Sequence, residues 1–362
     1  MKCGGASECN KTYRDLITHL NLNQNRGLFS MIRPTKNYMQ PTEVHLDMQL
    51  YAILDVVEKE QKFASYVLIN MWWTDDYLQW EPDNFCGMVE ICLPTKQLWI
   101  PDLTVKEMTE KDKATLSPYL MVYSSGIIIL QNDMMLVTTC KMHVYKFPFD
   151  TQSCNLTFKS IVYRDDQMVL HAPGAPWKQQ AGEMLGTQSD WLLINITVTE
   201  NHLGKYGIHQ REIIYTVTMK RRPILYTVNF ILPVFFFLCL DFASFLISER
   251  GGEKLSFKVT VMLAVTVMQL ILHEILPSSS DAVPLIAVYC VGIFGLMMIS
   301  LLETILVMYL KERDSAPKDN ETKDHDESQG EDGGKACGKI SFYHCFEEDM
   351  VEVAGTGAVG LH

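Results

Sequence analysis

The chain has 362 residues, with 43 acidic side chains against 31 basic ones and a formal net charge of −12. No basic stripe runs through it, which excludes nucleic acid as an expected partner. Composition is uneven: a β-rich first part, a strongly apolar middle and an acidic, polar end exclude a uniformly soluble globular chain.

At the N-terminus, Met1-Lys2-Cys3-Gly4-Gly5 lacks the apolar stretch of a leader segment, and the start is read as incomplete. Thr12 to Leu20 reads as a short leading helix. Beyond it, alternating and β-branched runs recur between turn signals: Val44–Leu50, Ser65–Trp72, Met88–Leu93, Leu136–Tyr145, Cys154–Val162, Leu192–Val198 and Ile213–Met219. Such a density of short strands is the pattern of an all-β sandwich. Asn-X-Thr triplets at Asn10, Asn155 and Asn195, together with several cysteines, favour an exported domain glycosylated at those asparagines. Cys86 and Cys92 could pair locally, as could Cys3 and Cys9; spacing does not decide this. Cys140 and Cys154 enclose thirteen residues. A bridge there would remove about 3 kcal/mol of unfolded-chain entropy, and two buried free thiols are the alternative. Inside that loop, Phe147-Pro148-Phe149-Asp150 combines a fixed turn, two apolar rings and a charge. It suits a tip packed against helices at a membrane surface, or an ordinary hairpin end.

Three apolar runs follow, at 224–247, 255–276 and 285–310. The second is long enough, at roughly 33 Å as a helix, to cross a bilayer. Within it Ser256, Thr260, Leu263, Val267, Leu270 and Glu274 step by four, three, four, three and four, so all six share one helical face. Glu253 extends that face by a turn. Hydroxyls, aliphatics and a carboxylate at each end suit a helix that lines water or a neighbouring helix, not a lipid anchor. Arg250 and Lys254 before the second run, and Lys311 and Arg313 after the third, place those ends in the cytoplasm and the N-terminus outside. Lys220-Arg221-Arg222 runs against that tendency. The division expected is therefore 1–222 extracellular, 223–311 transmembrane and 312–362 an acidic, disordered cytoplasmic tail. Residues 314–362 hold no apolar run of bilayer length, so a fourth span is missing and the chain is read as truncated.

At Cys140, the thirteen intervening residues around Phe147-Pro148-Phe149-Asp150, and Cys154, the chain resembles subunits of Cys-loop receptors, the pentameric ligand-gated ion channels. Trp73-Thr74-Asp75, Leu78-Gln79-Trp80, Trp99-Ile100-Pro101-Asp102, Arg221-Arg222-Pro223 and Gly252 to Lys258 support it. Tyr51-Ala52-Ile53-Leu54 and Ser256-Phe257-Lys258 are most similar to serotonin type 3 receptor subunits; Leu276-Pro277-Ser278-Ser279-Ser280 is similar to zinc-activated channels. The resemblance implies an extracellular β-sandwich ligand-binding domain above a helical transmembrane bundle, a Cys140–Cys154 bridge, and a homo- or hetero-pentamer. It further implies a small extracellular ligand, permeant Na+, K+ and Ca2+, and a multi-pass place in the plasma membrane, postsynaptic in such receptors. The stripe would then line a pore, with Leu263 as an apolar gate ring and Glu253 and Glu274 as carboxylate rings that favour cations. Phe147, Pro148, Phe149, Asp150 and Pro277 would couple the sandwich to the helices.

The ligand site departs from the family's aromatic box, which holds a cation over ring faces. Glu107 matches an acidic position of serotonin-gated relatives. Ile161 stands where a central tryptophan would be, Leu68 and Asn70 replace a tryptophan and an arginine on the complementary face, and Gln131 replaces a tyrosine. Gln210 replaces a loop aromatic, with Tyr206 nearby. Glu107, Asn70, Gln131, Ile161 and Tyr206 are the candidate ligand contacts. His202 and His209 could take a metal or a proton, or stand as exposed loop histidines, and their spacing matches no metal signature. No nucleophile–base motif, phosphate loop or cofactor site is recognisable, so no enzyme, cofactor or metal is expected. The reading is a cation-selective, extracellular ligand-gated channel subunit. The alternatives are a non-conducting regulatory or dominant-negative truncated subunit, and a zinc- or proton-gated relative.

Overall fold

The computed structural model describes residues 11–23, 27–110, 116–172, 190–205, 208–247, 253–275 and 283–315. The chain begins with α1, Tyr13–His19, where the leading helix was expected. Thr12 sets its start: the Asp15 amide donates to Thr12 Oγ1 (3.4 Å) and the Thr12 amide to the Asp15 carboxylate (2.8 Å), a reciprocal cap. Leu16, on its inner face, is fully buried in the sandwich core. A single turn, α2, Leu28–Met31, follows.

Ten strands come next: β1 Thr42–Val57, β2 Lys62–Thr74, β3 Glu90–Pro94, β4 Leu103–Val105, β5 Tyr119–Tyr123, β6 Ile127–Thr139, β7 Thr151–Ser160, β8 Met168–His171, β9 Trp191–Lys205 and β10 Ile208–Arg221. They form two sheets, one ordered β3-β5-β6-β2-β1-β8 and the other β4-β7-β10-β9. All named pairings are antiparallel except β1 with β8. β1 runs far past the alternating stretch visible in the sequence. Register shifts at Leu50/Ala52 and Ile53/Asp55 let it bend while its apolar side chains stay inward.

The expected strand Leu136–Tyr145 is corrected at both ends. β6 begins at Ile127 and stops at Thr139, because Cys140 turns into the bridged loop. Its early half was hidden by Gln131-Asn132-Asp133, yet Asn132 is buried there: its Oδ1 accepts from the Ser117 amide (2.7 Å), while its Nδ2 has no hydrogen-bond partner among the described residues.

The two inner faces meet in one core, where Leu46, Leu50, Val67, Trp73 and Leu130 pack against Leu156, Phe158, Ile213 and Val217. Each such side chain contributes about 1.5–3 kcal/mol by leaving water. Tyr215 adds a polar bolt between the sheets: its hydroxyl donates to the Leu46 carbonyl (2.9 Å) and accepts from the Met48 amide (3.2 Å). Gly126 closes the turn before β6 with φ +88°, and a Cβ there would stand 2.6 Å from the Asp75 carbonyl. Only glycine meets both demands.

The cysteines resolve unevenly. Cys140 and Cys154 are bridged, with a Cα–Cα distance of 5.3 Å. The local Cys86–Cys92 pairing is corrected: Cys92 is an exposed free thiol on β3, whereas Cys86 is bonded to a cysteine outside the described residues. A left-handed backbone at Cys86 (φ 56°) ends a 3₁₀ turn before β3 begins. Cys3 and Cys9 lie outside the described residues.

Three apolar helices follow the sandwich. The first, Ile224–Leu246, comprises α3 Ile224–Tyr226, a π-helical turn Thr227–Ile231, α4 Leu232–Ala243 and a closing 3₁₀ turn. The wide turn precedes Pro233, which lacks the amide a regular helix would use. Next are α5, Glu253–Ile275, and α6, Leu285–Ser315. All three are long and apolar enough to cross a membrane. α6 outruns its expected end at 310, since Lys311, Glu312 and Arg313 are good helix formers exposed to solvent. Val234, Val261, Val265, Leu272, Ile286, Cys290, Ile293 and Met297 make a second apolar core between the helices. Residues 316–362, on which the missing fourth span and the acidic tail turn, lie outside the described residues, as do residues 1–10.

Candidate functional site

The bridged loop between β6 and β7 ends at the helices. Val144 and Phe147 belong to the same buried cluster as Val234 and Val261. Phe147 meets Tyr226 edge-on at 5.0 Å between ring centroids, and its peptide bond to Pro148 is cis. The Tyr145 carbonyl accepts from the Leu285 amide at the start of α6 (2.9 Å). Phe149 stays half-exposed.

Asp150 is not a solvated tip charge. Only 1% of its side chain is exposed, as is 1% of its partner Arg221, the last residue of β10. Arg221 Nε donates to Asp150 Oδ1 at 2.8 Å and Nη2 to Oδ2 at 3.2 Å. The same guanidinium reaches Glu58, in the β1–β2 turn, at 2.5 Å. Its planar face lies 4.2 Å from the Trp191 ring, 4.8 Å from Phe147 and 5.4 Å from Tyr226. Gln152 Nε2 donates to Asp150 Oδ2 and to the His143 carbonyl, closing the loop base. Burial pulls the guanidinium down, but the bonds to Asp150 and the charge of Glu58 outweigh it and hold Arg221 above its ordinary value. Guanidinium geometry suits this role, because five donors in one plane can serve two carboxylates while the faces stack on rings.

α5 has two unlike faces. Glu253, Ser256, Thr260, Leu263, Val267, Leu270 and Glu274 are all exposed in the single chain, Leu263 and Leu270 by 63% and 69%. Lys254, Lys258, Val261, Val265 and Leu272 are buried. Thr260 Oγ1 donates to the Ser256 carbonyl (2.9 Å). On the buried face Lys258 Nζ lies 3.4 Å from Asp241 of α4. It donates to the Ser300 carbonyl of α6 (3.3 Å) and to the Ser300 hydroxyl, and sits 4.5 Å from the Phe245 ring centroid. One ammonium therefore ties three apolar helices together.

The candidate ligand contacts fall into two groups within one chain. Asn70 and Gln131 are register partners on β2 and β6, on the outer face of the six-stranded sheet. Asn70 Oδ1 is buried without a hydrogen-bond partner among the described residues. Glu107 and Ile161 lie beside the other sheet. Glu107 accepts from the Thr157 amide (2.8 Å) and hydroxyl (2.7 Å), so both oxygens are engaged by β7. Ile161 is exposed on a loop pinned by Asp102, whose carboxylate accepts from Ser160 Oγ and from the amides of Ile161 and Val162. His202 and His209 are exposed and stand opposite Arg211 and Gly204, not opposite each other. Asn155 and Asn195 are exposed on β7 and β9. Tyr206, Pro277 and Asn10 lie outside the described residues.

Comparison with known proteins identifies this architecture. The family profile of neurotransmitter-gated ion-channel ligand binding domains matches residues 15–223, and that of the neurotransmitter-gated ion-channel transmembrane region matches residues 230–329. The chain belongs to the neurotransmitter-gated ion-channel family. It is 32% identical over 297 residues to 5-hydroxytryptamine receptor 3A of Rattus norvegicus, covering 82% of this chain and 61% of that protein. Human 5-hydroxytryptamine receptor 3E is 32% identical over 295 residues, covering 81% and 64%. Human 5-hydroxytryptamine receptor 3B is 30% identical over 278 residues, covering 76% and 63%. The chain thus spans about three fifths of the length of these relatives. The family is one of ion channels and not of enzymes.

For this ion-channel family member, two charged residues at the loop were missed from sequence. Arg221 had a signal: the basic triplet before the first span opposes the charge bias expected of an exported N-terminal part, and Arg221 is buried. Glu58 had none, since a carboxylate in a hairpin turn is ordinary. Lys258 was legible only as a residue near the start of the second apolar run, not as a buried one.

Proposed function

We propose that the chain is a subunit of a cation-selective channel gated by an extracellular ligand, assembled as a homo- or hetero-pentamer around five copies of α5. The observation that carries this is the exposed stripe from Glu253 to Glu274, polar or aliphatic by turns, on a helix that buries Lys254, Lys258, Val261, Val265 and Leu272. A face of that composition left bare on a membrane-spanning helix fits an aqueous axis better than lipid. Five copies of Leu263 would close that axis by dewetting, and rings of Glu253 and Glu274 would concentrate Na+, K+ and Ca2+ at its mouths.

The division into an extracellular part to residue 222, a membrane part from 223 to 311 and a cytoplasmic tail follows from this reading. So does a plasma-membrane, postsynaptic location, with glycans on Asn155 and Asn195. Ligand would sit between subunits, the Asn70–Gln131 face of one against the Glu107, Ile161 and Tyr206 side of the next. The names of the relatives make serotonin the first probe. Ligand-driven movement of the sandwich would pass through Asp150, Arg221 and Glu58 to Phe147 and the heads of α3 and α6, with Pro277 on the linker that receives it.

The test is whole-cell recording of Leu263→Ser. A serine ring cannot dewet the axis as leucine does, so a standing cation leak is expected. The agonist threshold should fall by about tenfold, equivalent to ~1.4 kcal/mol. A surface-expressed Leu263→Ser channel with no leak and an unchanged threshold would remove Leu263 as the gate. A second reading is favoured by the engagement of both Glu107 oxygens with Thr157 and by the aliphatic Ile161: the chain serves as a regulatory partner of related subunits. Co-expression that neither changes a relative's current nor co-purifies the two chains would reject it.

A further inference from the structure

β9 is an edge strand of the four-stranded sheet, and its first residues pair with the end of β10, where the chain leaves the sandwich for the first apolar helix. There Trp191 pairs with Arg221 and Leu193 with Met219, and all four side chains are buried. The residues between them take the opposite face. Leu192 is the register partner of Lys220, and Ile194 is the extra residue where the register shifts between Thr218 and Met219. Leu192 and Ile194 are 47% and 52% exposed, and Lys220 is exposed beside them. Arg222, two residues past Lys220, is exposed as well; its amide donates to the Asp190 carbonyl (2.8 Å), which carries the pairing one residue beyond the strand.

Ile224 and Leu225 follow immediately after Pro223 and open that helix, and both are exposed. Along the chain two exposed cations thus stand between the aliphatic corner of the sheet and a helix long enough to cross a bilayer. Bare leucine and isoleucine on an edge strand are what a water-facing sheet avoids. The carboxylates at this corner are engaged already: Glu58 and Asp150 hold Arg221, and Asp190 is half-buried with a partner of its own. Lys220 and Arg222 make no ion pair among the described residues. We propose that Lys220 and Arg222, with Leu192 and Ile194 beneath them, bind the phosphate headgroup of a phospholipid at the membrane surface that the sandwich faces. This rests on the reading of Ile224–Leu246 as a membrane span.

A lipid meets both halves of the surface. Its phosphate suits the ammonium and guanidinium, and the first carbons of its chains suit the two aliphatic side chains and the stems of the cations. A free phosphate would use the charges and leave Leu192 and Ile194 bare. A soluble protein seated here would compete for space with the bilayer that Ile224 and Leu225 enter. The apolar stretch stops at Asn195, which is exposed and next along β9. Arg221, between the two cations, contributes nothing to the outer surface because it is buried against Asp150 and Glu58. A lipid held by its two neighbours would therefore grip the strand end that carries this buried cluster.

The first test places bimane on single cysteines of the full-length chain in nanodiscs, in a Cys92→Ser, Cys239→Ser background, with lipids brominated high on their chains as quencher. The signal is read over that of the background chain. Bimane at Ile194→Cys, and at Val228→Cys within the first helix, should be quenched. Bimane at Arg14→Cys should not, since Arg14 lies on α1, whose His19 shares a cavity with Ser124 at the opposite end of β6 from the bridged loop. Quenching at 228 without quenching at 194 overturns this proposal and leaves the membrane reading standing; quenching at neither overturns both. Equal quenching at 14 and 194 would also overturn it, because contact would not be confined to this corner. The second test is native mass spectrometry of the full-length chain titrated with phosphatidylglycerol. Lys220→Gln together with Arg222→Gln should weaken the tightest-bound lipid by about tenfold, the scale of losing two interfacial cations. Lys11→Gln together with Arg14→Gln should leave it unchanged. Unaltered affinity in the first pair overturns the site, as does displacement of the lipid by inorganic phosphate at equal concentration. Should the first pair fail to fold, the quenching at 194 decides.

Discussion

At Arg221, two carboxylates, three aromatic rings and the end of a strand converge on one guanidinium. Such a buried cluster adds little net stability over an apolar equivalent, yet breaking it strands a charge. Arg221→Met should therefore cost about 3–5 kcal/mol, because Asp150 and Glu58 lose their partner. Asp150→Asn should cost less. A double-mutant cycle by thermal unfolding should return a coupling of about 1 kcal/mol or more; additive effects would show that the two side chains do not act together.

Asp75 gives a second prediction. Burial, with a smaller push from Asp76, raises its carboxyl from 3.8 to about 6, against the Tyr77 and Leu78 amides. The folded state thus holds the proton more tightly than the unfolded one. This contribution to stability is complete below about pH 4 and is lost as pH rises through about 6, a difference on the order of 3 kcal/mol. Asp75→Asn, which keeps the acceptor for the Tyr77 amide, should be more stable than the native chain at pH 7.5. The gap should close by pH 4; a gap that is constant with pH would exclude this carboxyl as its source. Residues of this kind are hard to read in advance. Asp150 was marked by its place beside a proline between two cysteines, whereas nothing around Asp75 in sequence says that it is buried.

Among the elements, α5 is legible on one side only. Its stripe is a matter of periodicity, and periodicity is in the sequence. Its inner face depends on Asp241 and Ser300, residues 17 before and 42 after Lys258, brought to it by packing alone. Asp241→Leu leaves the ammonium without its carboxylate and should cost about 3–5 kcal/mol, while adding Lys258→Met should restore most of the loss. The yield of monodisperse protein on size exclusion from detergent checks this. A double variant no better than the single one would mean that the node does not act as a unit. β6 teaches a related lesson: three polar residues in mid-strand concealed it, because the amide that engages Asn132 Oδ1 comes from Ser117, before the preceding strand. The strands with plain alternation, β1 and β10, were found but were too short at both ends, since bulges and edge pairing extend a strand beyond its clean pattern.

For the molecule as a whole, the sandwich and the helices are joined by a short chain of contacts. Glu58 and Asp150 hold Arg221, Arg221 stacks on Phe147 and Tyr226, and Phe147 enters the helical core that seats the inner face of α5. The outer face of α5 completes the scheme only if it meets water at an axis shared between subunits. That is tested most directly by single cysteines along 253–274, in a Cys92→Ser, Cys239→Ser background, challenged with a charged thiol reagent in the assembled protein in membranes. Cysteines at 256, 260, 263, 267 and 270 should react and alter the current, and those at 261, 265 and 272 should not. Protection of the first set, or reaction confined to the second, would contradict an aqueous axis along α5.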